Sequence, residues 1–169
     1  MKKDVNVCID VRNPLSDYET REKVVIDPTE LIEDENSKEP PYHFGLSWEG
    51  NKKKSVLTVL DDAVSLKTTL KKSSKKGKKG KSGEDDPRMP RAYTAEDNES
   101  FVPILALECR GIEPYAFHPM GGEFVVESEG GMAFEGDDVD LSEGDWADYD
   151  GDNDISVSIS EFESKFEAI

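Results

Sequence analysis

The sequence predicts an all-β protein, and three observations support this prediction. Apolar and polar residues alternate with a period of two in several segments, short β-rich runs are separated by proline and glycine, and no window contains a long apolar stripe of helical spacing. Alternation is typical of strands with one buried face, because successive side chains point to opposite sides of a strand.

The predicted elements follow one another from the N-terminus. β-rich runs lie at 5–11, 23–26, 42–48, 55–60, 104–109, 123–127, 132–134 and 155–159. The first, third and last of these alternate most clearly, with valine, isoleucine, leucine or an aromatic residue at every second position. Turn signals separate the runs, at 13–14, 27–28, 40–41, 121–122 and 130–131. Only two short stretches, 28–35 and 160–168, are candidates for helices.

A lysine-rich stretch interrupts this pattern. Residues 67–83 contain eight lysines among glycine, serine and threonine. Such a segment has no apolar surface to bury, and this composition is typical of disorder. The sequence therefore predicts three parts: an N-terminal β portion at 1–66, a flexible lysine-rich insertion at 67–90 and an acidic C-terminal β portion at 91–169.

The charge is distributed unevenly along the chain. The formal net charge is −17, and residues 92–169 contain 21 Asp and Glu residues but only Arg110 and Lys165 as cations. A phosphate backbone is repelled by such a segment, so we do not expect the acidic half to bind nucleic acid. A cationic protein partner or a metal ion is a better match for its charge.

The cysteines and the N-terminal residues predict the compartment. Cys8 and Cys109 are far apart in sequence and form neither a disulfide framework nor a C-x-x-C knuckle, which favours a reducing environment. The first ten residues have no apolar signal-peptide core, and the apolar run at 101–107 is too short to cross a bilayer. We expect a cytoplasmic monomer without membrane contact, with nuclear entry through the lysine run as an alternative.

The segment 150–161 has the spacing of a calcium-binding loop. Oxygen-bearing side chains occupy loop positions 1, 3, 5, 9 and 12, which are Asp150, Asp152, Asp154, Ser158 and Glu161. Position 6 requires glycine for a sharp turn but holds Ile155, and the residues from 155 onward also make a good strand. Calcium binding is therefore an alternative to an acidic turn that binds no metal.

Two other chemical possibilities are less favourable. The chain has two histidines and two cysteines, the number of ligands that a zinc site needs, and these are His43, His118, Cys8 and Cys109. Structural zinc sites take their ligands in close pairs, however, whereas these residues are widely spaced in the sequence. Cys109 next to Arg110 is a conceivable nucleophile, because a neighbouring cation lowers the pKa of a thiol. The sequence shows no base paired with it, so we do not expect an enzyme.

Three blocks of sequence carry a resemblance to a known family. They occur in order at 93–101, 108–119 and 145–150, and they read Tyr-Thr-Ala-Glu-Asp-Asn-Glu-Ser-Phe, then Glu-Cys-Arg-Gly-Ile-Glu-Pro with Phe117 and Pro119, then Asp-Trp-Ala-Asp-Tyr-Asp. Over about 91–169 the chain resembles the eukaryotic CXXC motif-containing zinc-binding protein family. Before residue 60 the resemblance rests on strand-like segments, including 42–48.

The resemblance implies a small intracellular protein made of two related, intertwined β-sandwich-like portions, with no established catalytic activity. It implies a zinc held by two C-x-x-C knuckles that follow Trp48, where residues 49–54 of this chain contain no cysteine. Cys109 matches a Cys-Arg-Gly strand of the family that does not bind the zinc. We therefore expect no zinc and no other cofactor here, either because the chain has diverged or because an exon is missing from the sequence.

These observations together favour a non-enzymatic protein-interaction or adaptor role with a protein partner. Trp146 and Tyr149 lie in a strongly acidic setting, where an aromatic side chain is either a core anchor or an exposed contact. Because tryptophan buries a large area and strands are predicted on both sides, we expect Trp146 to be an anchor.

Overall fold

The computed structural model describes residues 1–2, 4–16, 18–34, 40–60, 66 and 87–169. Ten strands form in these residues: β1 Val7–Arg12, β2 Thr20–Ile26, β3 Phe44–Leu46, β4 Ser55–Val59, β5 Leu107–Arg110, β6 Glu113–His118, β7 Val125–Glu127, β8 Ala133–Glu135, β9 Trp146–Asp150 and β10 Ile155–Ile159. Short 3-10 turns lie at Ala95–Asp97 and Gly136–Asp138. The predicted all-β fold class is confirmed.

Backbone contacts divide the chain into two compact units. The first unit comprises Met1–Asp27 and Pro114–Phe166, and the second comprises Pro28–Glu113 and Glu167–Ile169. β1 and β2 therefore group with the C-terminal strands, and the middle of the chain forms a unit of its own. The lysine-rich residues 67–83 lie outside the described residues, so the predicted division into 1–66, 67–90 and 91–169 stays a prediction.

The main sheet of the first unit has the strand order β2-β1-β6. Alternation in β1 places Val7, Ile9 and Val11 on one face, and all three side chains are buried. β1 and β2 are antiparallel, and their register shifts between Ile9 and Val11. At this bulge Lys23 has a left-handed backbone with φ of 51°, and its amide donates a hydrogen bond of 2.7 Å to the carboxylate of Asp10.

Two antiparallel hairpins complete the first unit, one formed by β7 and β8 and the other by β9 and β10. Phe134 of β8 belongs to the core, and so do Val139 and Leu141, which lie in the connection between the two hairpins. Phe162 adds to it by packing its ring edge-on against Phe124, with 5.5 Å between the ring centroids.

The second unit contains a sheet with the strand order β3-β4-β5, in which all pairs are antiparallel. Leu57 in the central strand is completely buried, and Val56 and Val59 are buried beside it. Tyr42 and Trp48 flank the short strand β3, and both are also buried. The alternation predicted at 42–48 therefore identified core residues correctly, although only its centre forms a strand.

Each of the eight predicted strand segments overlaps an observed strand, but β6 and β9 were not predicted. The helix candidates were wrong. Residues 28–34 form a turn followed by an isolated bridge between Ile32 and Tyr42, and residues 160–168 contain no helix. Of the residues that the structure describes, none belong to a helix with the length and apolar character that crossing a membrane requires.

Candidate functional site

The hairpin of β9 and β10 carries both aromatic residues that the sequence singles out. Alternation along β9 places Trp146 and Asp150 on one face and Ala147 and Tyr149 on the other. The first face turns toward the unit's own residues, because Asp150 is completely buried and Trp146 is half-buried. The two candidate aromatic residues therefore have different surroundings.

The opposite face of the hairpin is exposed. Tyr149 lies across from Ser156, and Ala147 lies across from Ser158. We call these four residues the Tyr149 face, and all of them are exposed to solvent. The Tyr149 side chain is 50% exposed. Its neighbours are too small to cover it, so the face presents one aromatic ring on a surface of small side chains.

Carboxylates border the Tyr149 face. The turn after β9 supplies Asp152 and Asp154, both of them exposed, whereas Asp148 lies on the other face of the strand. The Tyr149 hydroxyl donates a hydrogen bond to Asp154. This bond, together with burial and the charge of Asp150, raises the pKa of Tyr149, so the phenol stays protonated and continues to donate. The ring is therefore held in a fixed position next to negative charge.

A buried network supports the turn beneath this face. The Ser128 hydroxyl donates to Asp150 at 2.5 Å, and the Asn153 side-chain amide donates to the same carboxylate at 3.0 Å. These bonds, Ser128 first, hold the pKa of Asp150 below its usual value despite burial. Sequence reasoning missed Ser128, because a serine 22 residues before its partner gives no local signal.

Trp146 packs against its own unit. Its ring meets the ring of Phe134 edge-on, with 5.4 Å between the centroids. The indole Nε1–H donates to the backbone carbonyl oxygen of Asp138 at 2.6 Å. An indole that is engaged at both its ring and its nitrogen fixes the hairpin in place and leaves Tyr149 as the aromatic residue offered to solvent.

The five calcium candidates are spread along the hairpin. Asp150 is buried and occupied by protein donors, Asp152 and Asp154 lie in the turn, Ser158 is in β10, and Glu161 follows that strand. Across the described part of the chain, no three or more His, Cys, Asp or Glu residues are grouped so that they could hold a metal ion. Calcium binding stays an untested alternative, and it would require these side chains to rearrange.

The two cysteines lie in separate strands and form no disulfide. Structural zinc sites take their ligands in close pairs, and a thiol releases its proton when it binds the metal. Burial, with the charge of Asp10, raises the pKa of Cys8 in β1. Burial and the neighbouring Glu108 raise the pKa of Cys109 in β5 to about 11. Both thiols are therefore protonated at neutral pH.

The same observations weaken the case for a catalytic thiol at Cys109. The Arg110 guanidinium, expected to lower the thiol pKa, forms an ion pair of 2.7 Å with Glu108 instead. The histidines are engaged within their own units. His43 Nδ1 accepts a 2.9 Å hydrogen bond from the backbone of Val59, and His118 Nε2 lies 2.8 Å from a carboxylate oxygen of Asp10.

Comparison with known proteins identifies relatives of this chain. The family model described as "CXXC motif containing zinc binding protein, eukaryotic" matches residues 1–167. The chain is 51% identical to "UPF0587 protein CG4646" of Drosophila melanogaster over 74 residues, and these aligned residues are 44% of each protein. It is 45% identical to the human "CXXC motif containing zinc binding protein" over 76 residues, and these aligned residues are 45% of this chain and 46% of the human protein. The chain therefore spans less than half the length of the curated relatives it matches.

Two solved structures share the fold. They are titled "Hypothetical protein from plasmodium falciparum" and "Crystal Structure of C1orf123", and both align with a TM-score of 0.68. Each alignment covers 95% of this chain and 83% of the other, at 22% and 23% identity respectively. At this identity the likeness extends to the fold alone.

Proposed function

The chain belongs to the eukaryotic CXXC motif containing zinc binding protein family, and we propose that it is a non-enzymatic interaction protein that binds a basic segment of a partner protein on the Tyr149 face. The observation that carries this proposal is the half-exposed Tyr149 ring, which lies among small side chains and is bordered by carboxylates. This arrangement matches the chemistry of lysine and arginine side chains.

An aromatic ring attracts a cation placed over its face, and a nearby carboxylate pairs with the same charge. Ala147 and the serines of β10 leave room for the aliphatic stem of a lysine or arginine to lie on the sheet. Asp152 and Asp154 are close enough in sequence to the ring to receive the charged end of such a side chain. The acidic residues of 92–169 would also accelerate the approach of a basic partner.

The proposal includes loss of the family zinc site in this member. The human relative's printed name describes it as zinc binding. This chain contains two cysteines, without a C-x-x-C pair, and both thiols have raised pKa values. The missing C-x-x-C pair supports a protein that works without zinc, and the raised pKa of the Cys109 thiol supports a role without nucleophilic catalysis.

The proposal is tested with a fluorescently labelled dodecapeptide of alternating lysine and serine, whose binding is followed by anisotropy. Tyr149→Ala should weaken binding about 2- to 5-fold, as expected for one exposed cation–π contact. Asp154→Asn should also weaken it, because it removes both the charge and the acceptor of the tyrosine hydroxyl.

Matched controls are available in the second unit. Tyr93 is 52% exposed and also donates its hydroxyl within its own loop, to the backbone of Asp97. Glu96 is an exposed carboxylate in the same loop. Tyr93→Ala and Glu96→Gln should leave the affinity unchanged. Equal weakening by the control variants would show that the peptide responds to overall charge only and would overturn the proposed site.

A further inference from the structure

The connection between β3 and β4 spans residues 47–54 and contains no cysteine. Trp48 lies in this connection and is 2% exposed. Its indole Nε1–H donates a 2.7 Å hydrogen bond to the carbonyl oxygen of Gly111, which is 63 residues further along the chain. The connection is therefore attached to a distant segment of the same unit through one side chain.

The position of Gly111 depends on its lack of a side chain. Its φ is +70°, a conformation that favours glycine, and a Cβ atom there would lie 2.6 Å from the Ser55 hydroxyl oxygen. Ser55 is buried and begins β4, directly opposite Leu46 at the end of β3. Trp48, Gly111 and Ser55 therefore lie together at one end of the β3-β4-β5 sheet.

The other end of the same connection is also attached by an aromatic residue. The Lys54 ammonium lies over the buried Tyr42 ring, 5.2 Å from its centroid. Gly45 allows this ring to pack against β3, because a Cβ atom at that position would lie 2.7 Å from the ring. Both ends of the connection are thus fixed by packing and polar contacts to protein groups.

We propose that Trp48 is the main attachment of the β3–β4 connection to the sheet, so that this unit folds without a bound metal. The inference rests on the proposed loss of the zinc site. A structural zinc contributes folding energy by linking separate turns of a chain. The buried indole links the connection to Gly111 in a comparable way, through its apolar area and one hydrogen bond.

The test compares the two tryptophans of the chain. Trp146 also donates its indole N–H to a backbone carbonyl, at 2.6 Å, but it is only half-buried and lies in the first unit. In NMR hydrogen exchange, the Trp48 indole proton should exchange at least about 100-fold more slowly than that of Trp146. Trp48→Phe should lower the urea midpoint more than Trp146→Phe, and a zinc chelator should not change the wild-type midpoint.

A second variant covers the possibility that Trp48→Phe fails to fold. Gly111→Ala leaves the indole intact but disturbs its acceptor, so it should accelerate exchange of the Trp48 indole proton. Unchanged exchange in that variant, or a wild-type midpoint in Trp48→Phe, would overturn the role of Trp48. Zinc content measured on the same samples separates the role of Trp48 from the loss of the zinc site. One tightly bound zinc per chain would overturn the loss of the zinc site, whereas zinc-free protein that is indifferent to Trp48→Phe would overturn only this inference.

Discussion

The hydroxyl of Ser128 and the carboxylate of Asp150 are joined by a buried hydrogen bond of 2.5 Å. Ser128 directly follows β7, and its oxygen also accepts a bond of 3.0 Å from the amide of Met132. Asp150 ends β9 and accepts from Asn153 in the next turn. The turns of two hairpins therefore share one buried charge, which fixes the strand that carries Tyr149.

Removing the serine hydroxyl should destabilise the first unit. In Ser128→Ala the buried carboxylate of Asp150 loses a donor, and a buried charged group without its partner is costly. We expect a lower urea midpoint and a higher pKa for Asp150. Ser156→Ala is the control, because Ser156 is exposed on the neighbouring strand and its loss should leave the midpoint unchanged. Equal midpoints for the two variants would contradict the role of the Ser128 bond.

Stability at acidic pH should depend on Asp10. Burial opposes its ionisation, but the hydrogen bond from the Lys23 amide and the adjacent His118 imidazole outweigh burial and hold the pKa of Asp10 below its ordinary value of 3.8. The ionised group therefore stabilises the fold above about pH 3.8, and this contribution is lost as the pH falls toward the lower folded-state pKa.

The comparison of wild type with Asp10→Asn measures this contribution. At about pH 6 the variant should have a clearly lower urea midpoint, since asparagine cannot supply the charge that His118 and the bulge amide contact. The difference should shrink as the pH is lowered from about 4 to 2.5. A difference that is constant over this range would show that the charge of Asp10 has no part in stability.

Trp146→Ala should be strongly destabilising without abolishing the fold. The variant loses the edge-on contact with Phe134, the hydrogen bond to Asp138 and part of the buried area of an indole. Because Trp146 is only half-buried, we expect a loss of about 2–4 kcal/mol in free energy of unfolding, at or below the range for a fully buried aromatic side chain. Urea unfolding measures the loss, and Trp146→Phe should recover part of it. A stable Trp146→Ala protein with impaired peptide binding would instead place Trp146 in the partner interface.

Calcium should not bind measurably to the hairpin. The Asp150 carboxylate is occupied by donors from Ser128, Asn153 and the turn backbone, so a cation would have to displace several hydrogen bonds. Titration calorimetry with calcium chloride is expected to show no saturable heat. Saturable binding that is lost in Asp154→Asn would favour the calcium alternative over protein interaction.

The pattern of residues predicted strands where β-rich residues form a run or alternate with polar residues. β1 is the clearest case, because its valines and isoleucine enter the core together. β6 was missed because Pro114, its second residue, suggests a turn, although proline is tolerated near the start of a strand. β9 was missed because two of its five residues are aspartates, which are uncommon in strands. Its pairing with β10 and the contacts of Trp146 outweigh that preference.

The predicted helix at 160–168 failed for a related reason. Local spacing suggested a short helix, but the Phe162 amide donates to the carbonyl of Gly144 and its ring packs on Phe124. Tertiary contacts of this kind outweigh weak local preferences. Tyr149 and Trp146 were identified as candidates because both aromatic residues lie in the strongly acidic stretch 145–150. Which of them faces solvent depends on strand register, which the residues around them do not specify.

The most direct test of the account is to map the binding of the lysine–serine dodecapeptide by NMR on uniformly labelled protein. Binding on the Tyr149 face predicts the largest shift changes at Ala147, Tyr149, Asp154 and Ser156, with little change at the exposed Tyr93 loop. The changes should fade as salt is raised, because exposed charges are screened. Shifts spread evenly over the acidic surface, or centred away from β9 and β10, would contradict a defined binding site on the Tyr149 face.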